Sequence, residues 1–161
     1  MNEIKCTFSG YKSKLCAPEI AVLGHCCTYA GWLPDQLWVN KIVNWGPCKD
    51  LTNVCTFLGT MGVCCLFIKN FAHHAHHLVK LTKKGTEWEF GTKQIKAMED
   101  LKQALLTSPA LHPIDYTSEA PVILAVNTSY IAVGYILSQC DTDNTKLQYH
   151  SWFGSIMLND H

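Results

Sequence analysis

The apolar run at residues 121–126, Pro-Val-Ile-Leu-Ala-Val, restricts the possible folds of this chain more than any other feature. A short continuous run of this kind is typical of a central strand that is buried within a sheet. Residues 131–137 and 146–153 predict two further strands, and residues 141–144 between them are turn-forming. The sequence therefore predicts the opening three strands of an α/β sheet.

The clearest helical segment, residues 92–106, precedes these strands. Its apolar residues recur at three- and four-residue steps and predict a core-facing stripe: Ile95, Met98, Leu101 and Leu105. Lys93, Lys96 and Lys102 fall on the other faces. We expect the helix to end at Ser108, because a proline follows it.

Three shorter helices are predicted upstream, at residues 34–43, 51–65 and 70–81. In the second of them Gly59 and Gly62 lie three residues apart, which predicts a smooth face for close backbone packing. These segments indicate a small helical bundle.

The N-terminal part alternates loosely and predicts an antiparallel hairpin at residues 12–28, followed by a turn at residues 29–31. The predicted fold class is therefore α+β. A β-hairpin and a small helical bundle come first, and the first three strands of an α/β sheet follow.

Charge and composition argue against an independent nucleic-acid binder, a secreted protein and a membrane-spanning protein. Thirteen basic residues balance thirteen acidic ones, whereas an independent nucleic-acid binder is usually basic. No signal-peptide-like stretch opens the chain, and the longest apolar run, residues 61–68, is shorter than the ~20 residues that span a bilayer. We expect an intracellular protein, in the cytoplasm or the nucleus, whose nine cysteines are reduced.

Cysteines and histidines in the middle of the chain raise the question of a metal site. The candidates are Cys48, Cys55, Cys64, Cys65, His73, His74, His76 and His77. His73 and His77 would share one face of a helix, as paired metal ligands do. The cysteines lack the Cys-x-x-Cys spacing, and no local signature marks one thiol as a nucleophile. We therefore predict no metal site and interpret the histidines as a solvated cluster.

Several short motifs follow one another in a recognisable order. They are Ala-Val-Leu-Gly-His at residues 21–25, Pro-Asp at 34–35, Phe-Leu-Gly at 57–59, Phe-Ile-Lys-Asn-Phe at 67–71 and Leu-Ser-Gln at 137–139. From about Lys12 onward this order resembles the polyprotein of Ty3/gypsy-type LTR retrotransposons, from the end of reverse transcriptase into RNase H. The first motif resembles the primer-grip hairpin, the third and fourth resemble the thumb, and the last resembles the second RNase H strand.

The resemblance implies three domains. Residues 1–45 correspond to the end of the reverse transcriptase palm with a primer-grip-like hairpin, residues 46–108 to a helical thumb and connection, and residues 109–161 to a truncated RNase H-like domain. Intact relatives are RNA-directed DNA polymerases and ribonucleases H that use Mg²⁺ held by clustered carboxylates. The resemblance places the polymerase aspartates upstream of this sequence and the remaining RNase H carboxylates beyond it.

One residue departs from the pattern of an active RNase H. The resemblance places the first catalytic carboxylate at the end of the first strand, where this chain has Asn127. An amide is a neutral ligand, and Mg²⁺ prefers carboxylate oxygen. We therefore expect a lost catalytic position and no cofactor bound by this chain.

The same resemblance suggests nucleic-acid contacts, at Gly24 and His25 of the primer-grip-like hairpin and at Lys69, Lys80, Lys83 and Lys84 of the thumb and connection. The alternative for the lysines is a solvated helix end, and the alternative for the glycine and histidine is a purely structural turn. An RNA/DNA hybrid, bound weakly, and the remaining polyprotein segments are the expected partners, with no membrane partner.

The sequence therefore predicts a catalytically inactive retrotransposon remnant with weak, salt-sensitive nucleic-acid contact. Two alternatives stay open: a domesticated interaction or structural protein, and part of an active enzyme completed by missing segments. A sheet of three strands leaves one edge and one face uncovered, so we also predict aggregation or partial disorder from about Pro121 onward.

Overall fold

The computed structural model describes residues 9–158, which form an α+β fold with four α-helices and two three-stranded antiparallel sheets. The helices are α1 Gln36–Val43, α2 Leu51–Val63, α3 Phe71–Thr82 and α4 Thr92–Leu106. The strands are β1 Glu19–Val22, β2 His25–Thr28, β3 Gly31–Pro34, β4 Val122–Thr128, β5 Ala132–Cys140 and β6 Gln148–Met157. Two short 3-10 helices, Gly10–Lys12 and Cys65–Phe67, complete the described elements. The predicted fold class is confirmed.

Side-chain caps explain where the first two helices begin. Asp35 accepts a hydrogen bond from the Leu37 amide at the start of α1, and Asp50 accepts one from the Asn53 amide at the start of α2. Each bond satisfies an amide that has no partner within its helix. These two aspartates therefore fix the two helix starts that the sequence predicted.

The N-terminal sheet has three strands where the sequence predicted a hairpin of two. β1 and β2 form that hairpin, but the chain leaves the predicted turn as a third strand, β3, paired with β2. Trp32 of β3 also exchanges two backbone hydrogen bonds with Leu111. A side chain at Gly31 would collide with the Leu111 carbonyl, so glycine permits this close approach.

The main core lies between α2, α3 and α4. Fully buried side chains from all three helices fill it: Val54, Phe57, Met61, Ala75, Leu78 and Leu101. Two details of the predicted packing are wrong. Ile95 is 43% exposed, because the buried stripe of α4 passes through Ala97 instead. Gly59 and Gly62 face open space, so the smooth face of α2 packs against no described backbone.

Lys102 is the second correction on α4, because it is buried on the core side rather than solvated. Its Nζ donates to the Trp45 carbonyl at 2.7 Å and to Glu99 Oε1 at 2.9 Å. The aliphatic stem fills space between α1 and α4 while the ammonium satisfies a backbone acceptor. Lys102 therefore joins the end of α1 to α4.

The C-terminal sheet has the order β4-β5-β6, with a register shift between Leu137 and Ser138. The three predicted strands are all present. The prediction of a buried central position for residues 121–126 is wrong, because β4 is an edge strand and all but one of its residues are exposed. A continuous apolar run does not distinguish a central strand from an edge strand whose cover is absent.

The two faces of this sheet have different surroundings. Phe153 and Ala132 are buried on the face that contacts α3. Directly paired residues share a face, so Leu124, Leu137 and Trp152 lie together on the opposite one. Leu124 is 60% exposed and Trp152 is 42% exposed. One apolar face is therefore open to solvent among the described residues.

None of the helices between residues 9 and 158 is long and apolar enough to cross a bilayer.

Candidate nucleic-acid interface

Asn127 lies in β4 opposite Gly134 of β5, at the edge of the face that packs on α3. It lines an open cleft of about 240 Å³ with residues from the start of α3 and from the sheet: Asn70, His73, Ser129, Ala132, Gly134 and Ser155. The position predicted for the first RNase H carboxylate is therefore accessible from solvent.

The donors around Asn127 do not fit a catalytic magnesium ion. They are amide groups, hydroxyls and one imidazole, and no carboxylate lines the cleft within the described part of the chain. Mg²⁺ takes carboxylate and water oxygens in near-octahedral geometry. Between residues 9 and 158, no three side chains of His, Cys, Asp or Glu are grouped to hold a metal ion of any kind.

Asn70 closes one side of this cleft and was not predicted as a site residue. It adopts the left-handed conformation, with φ of 56°, immediately before α3. Its side-chain oxygen lies where a Cβ of Gly134 would be, and the Ala72 amide of α3 donates to Ser155 Oγ at 2.8 Å. Sequence periodicity carries no signal for such a contact, because it joins elements about sixty residues apart.

Gly24 and His25 form the predicted primer-grip-like turn between β1 and β2. Gly24 has φ of +84°, and a Cβ there would lie 2.8 Å from Val63 Cγ1 and 3.3 Å from Trp38 Nε1. His25 is half-buried, with its ring 5.4 Å from the Phe67 ring in an edge-to-face contact. Both residues therefore lie against the helical part of the chain.

The four candidate lysines are exposed but do not form one cluster. Lys69 lies before α3, and its charge helps to lower the pKa of His150 on β6, although burial of that ring is the larger cause. Lys80 and Lys83 lie at the other end of α3, on the order of 15 Å away, where they line a cleft with Tyr130. Lys84 follows them. The structure therefore brings three of the four lysines to one end of α3.

The histidines of α3 line a groove with α4, here called the histidine groove. Its members are His73, His74, His76 and His77 from α3, Lys93, Lys96, Ala97 and Asp100 from α4, and Tyr130 and Ile131 from the β4–β5 turn. The pKa of His74 is lowered mainly by burial and further by neighbouring His73, while Asp100 acts in the opposite direction. Sequence periodicity placed Lys93 and Lys96 off the core but did not connect them with the histidines.

A second cleft lies between the two sheets and is lined by aromatic side chains and by carboxylates. Trp32, His112, Tyr149 and Asp141 line it. The pKa of Asp141 is lowered by hydrogen bonds from the Asp143 and Asn144 amides, and the Tyr149 hydroxyl adds a weaker contribution at 3.2 Å. No Lys or Arg lines this cleft in the described residues, so it offers nothing to a phosphate.

Comparison with known proteins agrees with the architecture. Residues 90–160 match the model of the RNase H-like domain found in reverse transcriptase. Across 144 residues the chain is 28% identical to the Transposon Tf2-3 and Tf2-4 polyproteins of Schizosaccharomyces pombe. The chain is therefore similar to the reverse transcriptase and RNase H-like region of retrotransposon polyproteins. The resemblance to Ty3/gypsy-type elements is thereby confirmed. The alignment covers 89% of the chain but 10% of each polyprotein.

Solved structures share the fold of this retrotransposon-related chain. The foamy viral protease-reverse transcriptase in complex with dsDNA matches 93% of the chain with a TM-score of 0.75 and 21% identity. The same viral protein in complex with RNA/DNA hybrid matches with a TM-score of 0.73 and 22% identity. This chain covers 30% and 20% of those two chains, respectively.

Proposed function

We propose that this chain is a catalytically inactive remnant of a retrotransposon reverse transcriptase and RNase H region that contacts nucleic acid weakly. The observation that supports the loss of catalysis is the cleft at Asn127, which offers neutral donors where a two-metal ribonuclease needs clustered carboxylates. Metal-bound water is the nucleophile that such a site would supply. Without charged ligands the described residues have nothing to hold the ions in place.

The nucleic-acid contact rests on the lysines at the end of α3. Lys80 and Lys83 flank one cleft, and Lys84 follows them in an exposed position. The foamy viral protease-reverse transcriptase, part of which shares this fold, has been solved in complex with dsDNA and with RNA/DNA hybrid. Because the whole chain carries no net charge, affinity has to come from this local excess of lysine. The proposed binding is therefore weak at physiological salt.

A cleavage assay tests the catalytic part of the proposal. The purified chain is incubated with a labelled RNA/DNA hybrid in Mg²⁺ and separately in Mn²⁺, with an active ribonuclease H as positive control. We expect no cleavage above background for the wild type, and none for Asn127→Asp, because one carboxylate does not rebuild the site. Metal-dependent cleavage that Asn127→Ala abolishes would contradict inactivity and favour an enzyme completed by other polyprotein segments.

A binding titration tests the contact. We expect the affinity for the hybrid to fall with salt, with a log–log slope of about −2 to −3 if three lysines each neutralise one phosphate. Lys80→Ala combined with Lys84→Ala is expected to reduce that slope by about 1 to 2. Lys49→Ala with Lys146→Ala, both exposed and outside this region, is the matched control. Equal effects of the two double variants would contradict a local binding surface.

The open face of the C-terminal sheet favours one second candidate function, a protein-interaction role. Leu124, Val126, Trp152 and Ile156 are all exposed there. Apolar patches of this kind are characteristic of surfaces that other protein segments cover. If this candidate is right, the chain forms a complex of fixed stoichiometry rather than aggregates of increasing size. Light scattering coupled to size-exclusion chromatography measures the difference. Continuous growth of particle size with concentration would count against this candidate.

A further inference from the structure

The histidine groove brings together more histidines than any other surface described above. Four lysines surround it: Lys80, Lys83, Lys93 and Lys96. Three carboxylates lie beside it: Glu87, Glu89 and Asp100. Among the described residues, the lysines and carboxylates of this surface are therefore almost balanced, and histidine is the residue type that ordinarily changes charge between pH 5 and 8.

Within residues 9–158, the other elements that pack against α3 supply no further charge to this surface. α2 contains no charged residue along its length, and the β4–β5 turn contributes the phenol of Tyr130. On the sheet, His150 lies near Lys69 rather than in the groove. Histidine is therefore the one residue type lining the described groove whose side chain ordinarily changes charge between pH 5 and 8.

Two of these histidines are well placed to meet a ligand. His73 and His77 are exposed, and they are separated by four residues, so they lie one above the other on the same face of α3. One turn of helix separates them by roughly 5–6 Å, close to the spacing of consecutive phosphates along a nucleic-acid strand. His74 and His76 are half-buried.

We propose that the histidine groove is a pH-gated binding site for the phosphate backbone of nucleic acid, with His73 and His77 as its proton-dependent contacts. This inference rests on the proposed function, because it adds regulation to the weak contact made by the neighbouring lysines. Protonation converts a nearly balanced surface into one with a clear cationic excess, and a bound phosphate in turn stabilises the charged imidazolium. Burial lowers the pKa of His74, so that ring requires a lower pH than an exposed histidine to contribute.

Fluorescence anisotropy with a labelled 18-base-pair RNA/DNA hybrid tests the gate. Binding of the full chain is measured at pH 7.5 and pH 5.5, at several salt concentrations, with a reductant and with EDTA to exclude metal bridging between histidines. We expect affinity at pH 5.5 to be about tenfold higher, with a steeper salt dependence, because one to two additional phosphates are neutralised. Circular dichroism at both pH values checks that the chain stays folded.

Variants separate the gate from general effects of acid. His73→Gln with His77→Gln is expected to bring the affinity ratio between the two pH values close to one. The matched control is His112→Gln, which lies against Tyr149 in the cleft between the sheets and should keep the wild-type ratio.

Each outcome decides between the two claims. Measurable, lysine-dependent binding at pH 7.5 with a ratio near one for the wild type would overturn the pH gate and leave the proposed function standing. A ratio that survives in the His73/His77 double variant would also overturn it. No binding at either pH in low salt would overturn both.

Discussion

The helical core and the C-terminal sheet differ in how completely they bury their apolar residues. Phe57, Met61, Leu78 and Leu101 are inaccessible to solvent between α2, α3 and α4. On β4, by contrast, Val122, Leu124 and Val126 are between 47% and 60% exposed. The sheet has one face on the core and one face in solvent, whereas the core helices cover one another.

This difference shows where each region obtains its stability. The helices cover each other from within about fifty residues, so their core-facing side chains are buried. The sheet has strand-forming residues of the same hydrophobicity, but no described element lies over its outer face. Burying a leucine-sized side chain contributes roughly 1.5–3 kcal/mol, which β4 mostly forgoes.

Equivalent truncations in the two regions should have very unequal effects. We expect Leu101→Ala to destabilise the chain by about 3–5 kcal/mol, because it leaves a cavity in a fully buried site. Leu124→Ala removes the same atoms from an exposed site and should cost less than about 1 kcal/mol. Urea unfolding followed by circular dichroism at 222 nm measures both, and losses of similar size would contradict the comparison.

The junction between the two regions should be the next most sensitive point. Gly134→Ala is expected to cost about 1–3 kcal/mol, because the new methyl group meets the Asn70 side chain at the start of α3. Asn70→Gly removes that side chain and suits the left-handed backbone, so the double variant should recover most of the loss. Additive losses in the double variant would show that the contact between Gly134 and Asn70 is not the cause.

The open sheet face should influence solubility more than stability. Leu124→Lys together with Val126→Thr is expected to change the free energy of unfolding by less than about 1 kcal/mol and to raise the concentration at which the chain aggregates. Leu78→Lys, the matched change in the core, should unfold the protein. Light scattering against protein concentration provides the readout, and an unchanged aggregation threshold would contradict exposure of this face.

The smallest expected effect is a pH dependence of stability that arises from Asp141 in the β5–β6 turn. Hydrogen bonds from the Asp143 and Asn144 amides hold the pKa of Asp141 below its ordinary value. Its contribution to stability is therefore present above about pH 4 and is lost as the pH falls through the lowered pKa. Asp141→Asn keeps a hydrogen-bond acceptor but cannot titrate. The variant should lose less thermal stability than the wild type between pH 6 and pH 3, and identical losses would exclude this contribution.

Local sequence signals predicted most of the fold. The bounds of α4 matched the prediction, and α1 and α2 lie within the segments predicted at residues 34–43 and 51–65. Periodicity did not predict which residues of other elements surround each helix or strand. Periodicity placed Lys102 on a face other than the core stripe, yet the side chain is buried and a carbonyl of Trp45, 57 residues away, accepts its hydrogen bond.

The candidate site was less predictable than the fold. Asn127 was identified from the order of motifs, but its neighbours Asn70 and Ser155 come from elements that meet only in the folded chain. The histidine groove had a visible sequence signal in four histidines within five residues. The lysines of α4 that complete it are about twenty residues away, so the combined charge emerged only from helix packing.

Native-state hydrogen exchange measures the difference between the two regions most directly. We predict that amides in the middle of α4 exchange only through global unfolding. Amides in the middle of β5, although paired on both sides, should exchange through a local opening of the sheet that has a lower free energy than global unfolding. The predicted disorder from about Pro121 onward would be the extreme form of this result. Equal protection in α4 and β5, with both lost in a single cooperative transition, would contradict the lower stability of the C-terminal sheet.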